Sequence, residues 1–146
     1  MTLGQKAIEL AKALAAFAHD GQKDKAGNDY ILHPLAVAAR MKTPEETITA
    51  LLHDVLEDTR IKESTILDLF GQDVLDAVKA VTKRPNEDYM DFVKRAKENP
   101  IARKVKMADL EHNMELSRLS VITKENLERL DKYMKAYRFL ASDASL

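Results

Sequence analysis

The sequence predicts an all-α fold, a single-domain helical bundle of about seven helices spanning residues 1–146. Apolar residues recur at helical spacing along most of the chain, whereas few stretches alternate with period two. The β-branched residues are scattered rather than grouped as strands require. The 146 residues, with 45% hydrophobic content, suffice for one compact core. We therefore expect no sheet and no second domain.

The first two predicted helices lie before residue 42. The first helix ends near Gly21, and it carries an apolar stripe at helical spacing formed by Leu3, Ala7, Leu10, Leu14 and Phe17. Pro34 suits the first turn of a second, short helix that ends near Met41. Because the residue before a proline favours extended geometry, His33 is expected at the N-cap of this helix.

Capping residues and glycines predict the next helices. Thr43 and Glu46 form a predicted capping box, which opens a third helix expected to stop near Thr59. A helix over residues 62–70 is expected to end at a glycine, and another is expected over residues 72–83.

The remaining helices are predicted over the last 60 residues or so. Asn86 can cap a helix over residues 87–97, and a further helix is expected over residues 100–116. The last helix begins after Thr123 and is expected to bury its apolar residues, Leu127, Leu130, Met134 and Tyr137. Residues 142–146 are expected to form a frayed tail.

Composition excludes several classes of function. Lys and Arg number 23 against 24 Asp and Glu, so the chain lacks the basic surface expected for nucleic acid or an anionic membrane. There are no cysteines, so a metal would be held by histidine, carboxylate or amide groups. The first helix carries charged residues and is neither a signal sequence nor a membrane span. We expect a cytoplasmic protein that binds a small molecule or another protein, with a homo-oligomer left open.

The most informative segment is residues 51–59, where His53 and Asp54 are followed by Glu57 and Asp58. At about 100° per residue these four polar residues share one arc, and apolar residues fill the opposite side. Histidine and carboxylate are ligands and acid/base groups for a divalent metal. A polar face opposite an apolar one is also typical of an ordinary surface helix. The arc alone favours the surface-helix interpretation.

The helix predicted over residues 100–116 has two polar faces. One face carries Lys104, Glu111 and Glu115, and the other carries Lys106, Asp109 and Asn113. We expect one of these faces to point inward. A buried Asp109 needs a cation, a metal or a hydrogen-bond network. A pair between Lys106 and Asp109 would explain the face without a function, and this helix alone does not separate the two interpretations.

Two imidazoles and two carboxylates on separate elements are candidate metal ligands: His33, His53, Asp54 and Asp109. Such a mixed set of nitrogen and oxygen ligands suits Mn²⁺, Fe²⁺ or Zn²⁺ better than Ca²⁺. Their spacing along the chain does not bring them together by itself.

Three blocks of sequence carry a family pattern. The first block contains His19-Asp20-Gly21-Gln22, Lys25, Gly27 and Tyr30-Ile31-Leu32-His33-Pro34. The second is residues 51–59, and the third is Lys106-Met107-Ala108-Asp109 followed by His112-Asn113-Met114. In this order and spacing, the chain resembles the HD-superfamily hydrolase domain of Rel/Spo alarmone enzymes, especially the stand-alone small alarmone hydrolases. The resemblance covers most of the chain.

The resemblance implies a metal-dependent phosphohydrolase of a phosphorylated nucleotide. It implies one Mn²⁺ held by His33, His53, Asp54 and Asp109. Glu57 and Asp58 would serve the attacking water as catalytic residues. Relatives remove pyrophosphate from the 3′ position of guanosine tetra- and pentaphosphate, so guanosine 3′,5′-bis(diphosphate), the ppGpp of the stringent response, is the first candidate substrate.

Four residues are candidate substrate contacts. The resemblance implies that Lys25 and Asn113 touch the nucleotide or its phosphates. Lys106 can offset the charge of a polyanion that a carboxylate-rich site would otherwise repel. Arg95 is a further candidate phosphate contact.

The sequence departs from the family beside Lys25. Asp24 occupies the position of an arginine that lies against the purine base, and aspartate cannot stack on a base. Ala26 replaces a common serine, and Asn28-Asp29 and Leu110-Glu111 replace common Glu-Pro and Arg-Leu pairs. An adenosine alarmone or NADPH is therefore an alternative substrate. A catalytically idle module that binds a nucleotide or a protein is the alternative from another class.

Overall fold

The structure is a computed structural model that describes residues 1–118 and 123–143, without the side chains of residues 117 and 118. Within these residues it contains nine α-helical segments and no β-strand. The segments are α1 (Leu3–Ala18), α2 (Leu32–Ala38), α3 (Pro44–Leu52), α4 (Val55–Asp58), α5 (Glu63–Phe70), α6 (Gln72–Ala80), α7 (Tyr89–Glu98), α8 (Pro100–Arg118) and α9 (Lys124–Ala141). The all-α prediction is confirmed.

The helix predicted over residues 44–59 is interrupted at His53 and Asp54, which separate α3 from α4. Its start is as predicted, because the Thr43 hydroxyl accepts a hydrogen bond from the Glu46 amide at 3.2 Å. Asp54 leaves the helical conformation with φ −108° and ψ 0°. The break is one reason why the described chain has more segments than the seven or so expected. Residues on α4 therefore do not keep the spacing of about 100° that predicted one shared polar arc.

Several other helix boundaries differ from the predictions. Ile31 occupies the N-cap of α2, so His33 lies in the first turn of that helix instead, and the helix ends at Ala38, before Met41. α6 ends at Ala80, earlier than expected. Asp88, not Asn86, is the N-cap of α7. Asn86 has a φ of 63°, a left-handed conformation that asparagine tolerates in turns, so it belongs to the loop before the helix.

α3 lies at the centre of the fold, packed against α1, α2, α6 and α8. Its residues Ile48, Leu51 and Leu52 are buried in the larger of two core clusters. The smaller cluster joins α7, α8 and α9 and is formed by Val93, Leu110, Ala136 and Leu140. Because α8 contributes Val105 to the first cluster and Leu110 to the second, the turn that carries Asp109 is held from both sides.

The expected burial along α9 is wrong for two of its four residues. Leu127 and Met134 are 56% and 44% exposed. α9 packs mainly against α7 and α8, so only a narrow face of the helix is covered. Ala136 and Leu140 lie on that face and are fully buried.

The chain end is described as far as residue 143, and the last part of the expected tail, residues 144–146, lies outside the described residues. Lys97 donates a hydrogen bond to the Ser142 hydroxyl at 3.0 Å. Arg103 donates to the Ser142 carbonyl at 3.1 Å. In the part of the chain that the structure describes, every helix is too short or too polar to cross a bilayer.

Candidate metal centre

Three buried side chains converge between α2, α3 and α8. His33 Nε2 lies 2.8 Å from Asp109 Oδ1, and His53 Nε2 lies 3.4 Å from the same oxygen. The side chains of His33, His53 and Asp109 are 9%, 3% and 8% exposed. Asp54 joins them from the break after α3, with Oδ2 3.1 Å from His53 Nε2. The structure thus brings together all four residues that the sequence suggested as ligands.

The donor atoms of this centre fit a cation. His53 Nδ1 donates to the carbonyl oxygen of Ala50 at 2.6 Å, so the neutral ring would offer the lone pair of Nε2 to a metal. Nε2 is buried without a hydrogen-bond partner and faces carboxylate oxygens of Asp54 and Asp109. Burial disfavours a positive charge here, but attraction to those carboxylates outweighs it and raises the pKa of His53 well above its usual value. The same field would attract a divalent metal.

Asp109 connects the centre to the rest of the inward face of α8. Its Oδ2 accepts a hydrogen bond from Lys106 Nζ at 3.0 Å, and its Oδ1 accepts one from Asn113 at 3.2 Å. Burial alone would raise the pKa of Asp109, but Lys106, His33 and His53 lower it well below its usual value. Burial opposes the charge of Lys106, yet Asp109 raises the pKa of this lysine to about 12. The lysine–aspartate pair and an inward-facing carboxylate are therefore both present.

Glu57 and Asp58 lie on α4, next to Asp54. Asp54, Glu57 and Asp58 each offer one oxygen atom within 4.8 Å of the others. Partial burial, followed by repulsion from Asp58 and Asp54, raises the pKa of Glu57. Partial burial and repulsion from Asp54 likewise raise the pKa of Asp58. These two carboxyl groups therefore hold a proton more readily than ordinary surface carboxyls.

Residues of the first sequence block hold Asp54 and α4 in position through hydrogen bonds. His19 is 2% exposed, and its Nδ1 donates to the Gln22 side-chain oxygen at 2.8 Å. The Gln22 amide donates in turn to the carbonyl oxygen of Asp58 at 2.9 Å. The Tyr30 hydroxyl donates to Asp54 Oδ2. These contacts fix the position of Asp54 and the end of α4, and the sequence interpretation gave none of these three residues a role.

His112 is a further contact that the sequence did not assign. Its Nδ1 lies 2.7 Å from His33 Nδ1, with the ring centroids 5.0 Å apart and the planes inclined by 19°. Burial, followed by the influence of His33 and Arg40, lowers the pKa of His112. A signal was available in the sequence, because His112 follows Asp109 by three positions and so shares its side of α8.

Glu57 also lines a cleft of about 700 Å³ beside the centre. The cationic residues of this cleft are Lys62, Lys79, Lys83, Arg84 and Arg95. Arg95 is tied to the loop after α6, because it donates to both oxygens of Glu87, at 2.7 and 2.8 Å, and to the Thr82 carbonyl at 2.8 Å. The structure therefore places Arg95 in the cleft with most of its hydrogen-bonding capacity already used.

α9 contributes a further cationic residue, Lys132. Lys132 Nζ lies 4.0 Å from the centre of the Tyr89 ring, and Lys106 Nζ lies 6.0 Å from the same centre. Burial, together with repulsion from Lys106, Lys83 and Arg129, lowers the pKa of Lys132. Among the described residues, neither Lys132 nor Lys83 forms an ion pair with a carboxylate. The near-neutral composition of the whole chain gave no indication of this local concentration of cations.

Lys25 and Asp24 lie in the turn between α1 and α2. The Asp24 carboxylate accepts backbone N–H groups of Ala26 and Asn28, both at 2.9 Å. Gly27 closes the turn with a φ of 86°. Lys25 is exposed beside it. The aspartate that replaces the family's arginine therefore has a structural task of its own in this chain.

The domain is all-helical, and its buried histidines and aspartates meet between three helices. This arrangement is that expected of a metal-binding domain of the HD type. Residues 11–111 match the HD domain family, and the chain belongs to that family. HD domains depend on a divalent metal, and the cluster of His33, His53 and Asp109 is a site that could hold one.

Within this family, the chain is similar to enzymes named for the synthesis or hydrolysis of (p)ppGpp. The chain is 37% identical over 126 residues to the bifunctional (p)ppGpp synthase/hydrolase SpoT of Escherichia coli K12, covering 75% of this chain and 18% of SpoT. It is 34% identical over 150 residues to a guanosine-3′,5′-bis(diphosphate) 3′-pyrophosphohydrolase of Aquifex aeolicus, covering 94% and 21%. The chain thus spans about a fifth of the length of these curated relatives. The resemblance to Rel/Spo enzymes is confirmed.

A solved structure matches nearly the whole fold. It is described as a metazoan ortholog of SpoT that hydrolyzes ppGpp and plays a role in starvation responses. The match has a TM-score of 0.78 at 25% sequence identity and covers 99% of this chain and 91% of the other. The fold therefore occurs in a protein of similar size.

Proposed function

We propose that this protein is a metal-dependent hydrolase of phosphorylated nucleotides that removes the 3′-pyrophosphate of guanosine 3′,5′-bis(diphosphate). The observation that carries the proposal is the meeting of His33, His53 and Asp109 at one buried point, with Asp54 beside them. Relatives named for this reaction support the choice of substrate. The assembled centre argues against a catalytically idle module.

The metal would be held by His33 Nε2, His53 Nε2 and carboxylate oxygens of Asp54 and Asp109. Mn²⁺ is the first choice, with Fe²⁺ and Zn²⁺ as alternatives, because the donors are two nitrogens and two oxygens without a thiolate. When bound, the metal acts as a Lewis acid at the scissile phosphoryl group. Lys106 keeps Asp109 ionised and oriented, since it binds the other oxygen of that carboxylate.

Glu57 and Asp58 carry the proton transfers in this proposal. An ionised carboxylate on α4 accepts a proton as water adds to phosphorus, and the bond from phosphorus to the 3′-oxygen breaks. The leaving 3′-oxygen then takes up a proton, so that pyrophosphate and a nucleoside 5′-diphosphate are released. The raised pKa values of Glu57 and Asp58 bring both carboxyls closer to the neutral pH at which such transfers are efficient.

The cations around the centre suit a polyanionic substrate. Those that come from α8, α9 and the loop after α6 are Lys83, Lys106, Arg129 and Lys132. They offset the repulsion that several carboxylates would exert on a nucleotide with four phosphates. Lys25 and Asn113 are proposed as further contacts, Asn113 through the amide N–H that Asp109 does not use. Arg95 contributes through its position in the cleft.

A different base is the second candidate. Asp24 uses its carboxylate to close a turn, so the chain has no guanidinium at the position where the family stacks arginine on guanine. An adenosine alarmone or NADPH would lose less from this change than a guanosine nucleotide that depends on stacking.

A product assay tests the proposal. Metal-free protein, reloaded separately with Mn²⁺, Fe²⁺ and Zn²⁺, is incubated with 3′-pyrophosphorylated guanosine and adenosine nucleotides, plain nucleotides and NADPH. We expect pyrophosphate and guanosine 5′-diphosphate from ppGpp. If only NADPH is turned over, with release of its 2′-phosphate, NADPH would replace ppGpp as the proposed substrate. No turnover with any metal would refute the proposal that the protein is an enzyme.

A further inference from the structure

The contact between His33 and His112 sets a condition on where two protons lie. The two Nδ1 atoms are 2.7 Å apart, a hydrogen-bond distance between nitrogens. Such a bond needs one N–H and one lone pair, so one ring must be protonated at Nδ1 and the other must not. The contact therefore permits two arrangements, with either histidine as the donor.

The other nitrogen of His33 decides between these arrangements. His33 Nε2 lies 2.8 Å from Asp109 Oδ1, so without a metal this nitrogen donates to the carboxylate, whereas with a metal in the centre it would be the ligating nitrogen. A neutral histidine that ligates through Nε2 carries its proton on Nδ1. His33 is then the donor, and His112 accepts with a bare Nδ1.

We infer that His112 is a positioning residue, which accepts the Nδ1 proton of His33 and thereby fixes the tautomer and ring orientation of His33 for metal binding. The inference rests on the proposed function only in taking His33 as a metal ligand. Ligating histidines generally donate their second N–H to a carboxylate, a backbone carbonyl or water. Here a second imidazole performs this task.

The surroundings hold both rings in place. The ring centroids are 5.0 Å apart and the planes are inclined by only 19°, so the two imidazoles lie nearly in one plane along the hydrogen bond between their Nδ1 atoms. Just beyond α2, Arg40 donates to Glu111 at 3.3 Å and to Glu115 at 2.8 Å. Because Glu111 and Glu115 flank His112 on α8, this clamp fixes α2 against α8 beside the histidine pair. The acceptor is thus part of a rigid junction.

Two substitutions separate hydrogen bonding from packing. His112→Phe keeps a flat ring beside His33 but removes the acceptor. His112→Asn shortens the side chain but places an amide oxygen near the position of Nδ1. The measurement is the affinity of each metal-free protein for Mn²⁺ alone, obtained by titration against a competing chelator. Thermal unfolding of the metal-free forms shows whether either variant has lost its fold.

We expect His112→Phe to bind Mn²⁺ about 10- to 100-fold more weakly, as is typical when a ligating histidine loses its second-nitrogen partner. His112→Asn should recover most of that loss. Equal affinity of wild type and His112→Phe would overturn the inference, as would equal losses in both variants. The inference fails alone if the wild type hydrolyses its nucleotide but the two variants bind Mn²⁺ equally. The proposed function fails alone if the expected affinity pattern appears without turnover of any nucleotide.

Discussion

Two pairs of carboxylates lie side by side in the centre, and their pKa values are displaced in opposite directions. Asp54 and Asp109 form the inner, more buried pair. Burial raises the pKa of each, but His53 at Asp54 and Lys106 at Asp109 outweigh it and lower both. Glu57 and Asp58 form the outer, more exposed pair. Burial raises the pKa of both, and repulsion adds to it, from Asp58 and Asp54 at Glu57 and from Asp54 at Asp58. Depth alone would predict the reverse order.

The comparison teaches that neighbouring cations, more than depth, decide which carboxylates stay ionised. The inner pair has cationic or protonated partners within hydrogen-bond distance, so it stays ionised and suits a metal. At the outer pair, burial and then repulsion from neighbouring carboxylates prevail, so these groups take up protons more readily. Groups whose environments separate their pKa values in this way are the usual acid, base and ligand assignments of an active site.

The largest expected effect comes from neutralising the inner pair. Asp54→Asn and Asp109→Asn should each lower the affinity for Mn²⁺ by more than about 100-fold, which exceeds the usual cost of losing only a supporting contact. Turnover should be lost with the metal. Metal content by elemental analysis and chelator titration measures the effect. Asp68→Asn, on the exposed surface of α5, is the control and should leave both properties unchanged.

The next effect tests what keeps the inner pair ionised. Lys106→Met leaves Asp109 buried without its main cation, and the metal-free protein should lose about 3–5 kcal/mol of unfolding free energy. Urea denaturation measures it. Lys135→Met is the control, because Lys135 and its partner Asp131 are 68% and 64% exposed and the change should cost about 0–1 kcal/mol. Equal losses in the two variants would mean that burial does not distinguish the two lysine–aspartate pairs.

A smaller effect is expected at Glu57. If Glu57 is the general base, Glu57→Gln should lower kcat/KM by about 100-fold. In the wild type, kcat/KM should fall as the pH drops through a pKa above the usual 4.5 of this carboxyl, because the base must be ionised. The pH profile of the variant should lack that acidic limb. A variant profile identical in shape to the wild type would exclude Glu57 as the titrating base.

The smallest effect concerns stability and depends on the direction in which the pKa of Asp58 is shifted. Its folded pKa is raised above the usual 3.8, so the folded state binds its proton more tightly and loses stability as the pH rises through that range. Asp58→Asn should therefore stabilise the protein at pH 7, by about 0.5 kcal/mol after solvent screening. The gain should disappear near pH 3, where Asp58 is protonated in both states. Denaturation at the two pH values measures it, and a loss of stability at pH 7 would contradict the sign.

The fold class and the candidate metal ligands could be predicted, because both predictions depend on patterns along the chain. Helical spacing indicates an all-α fold, and the ordered blocks around His33, His53 and Asp109 indicate a metal centre. Their convergence could not be predicted from spacing, since His33 and Asp109 are 76 positions apart and meet only because α2 packs on α8. The break at Asp54 was also hidden, because the residues on either side fit one continuous helical pattern.

Other properties depend on tertiary neighbours that a local pattern does not contain. Arg95 suits a phosphate contact in sequence, yet Glu87 and the loop carbonyls bind its guanidinium. Leu127 and Met134 fit a buried stripe, but no helix among the described residues covers that part of α9. Lys132 is an ordinary surface lysine in sequence and lies beside the centre only because α9 packs against α7 and α8.

The turn closed by Asp24 constrains how this chain could change its nucleotide preference over evolutionary time. A reversion to arginine at this one position would remove both hydrogen bonds that Asp24 makes to the amides of Ala26 and Asn28. Both amides belong to exposed residues, so water replaces the lost acceptor and the cost lies at the lower end of about 0.5–1.5 kcal/mol per hydrogen bond. A base-stacking arginine at this position therefore gives up the side-chain hydrogen bonds that close the turn, and its effect depends on the neighbouring turn residues.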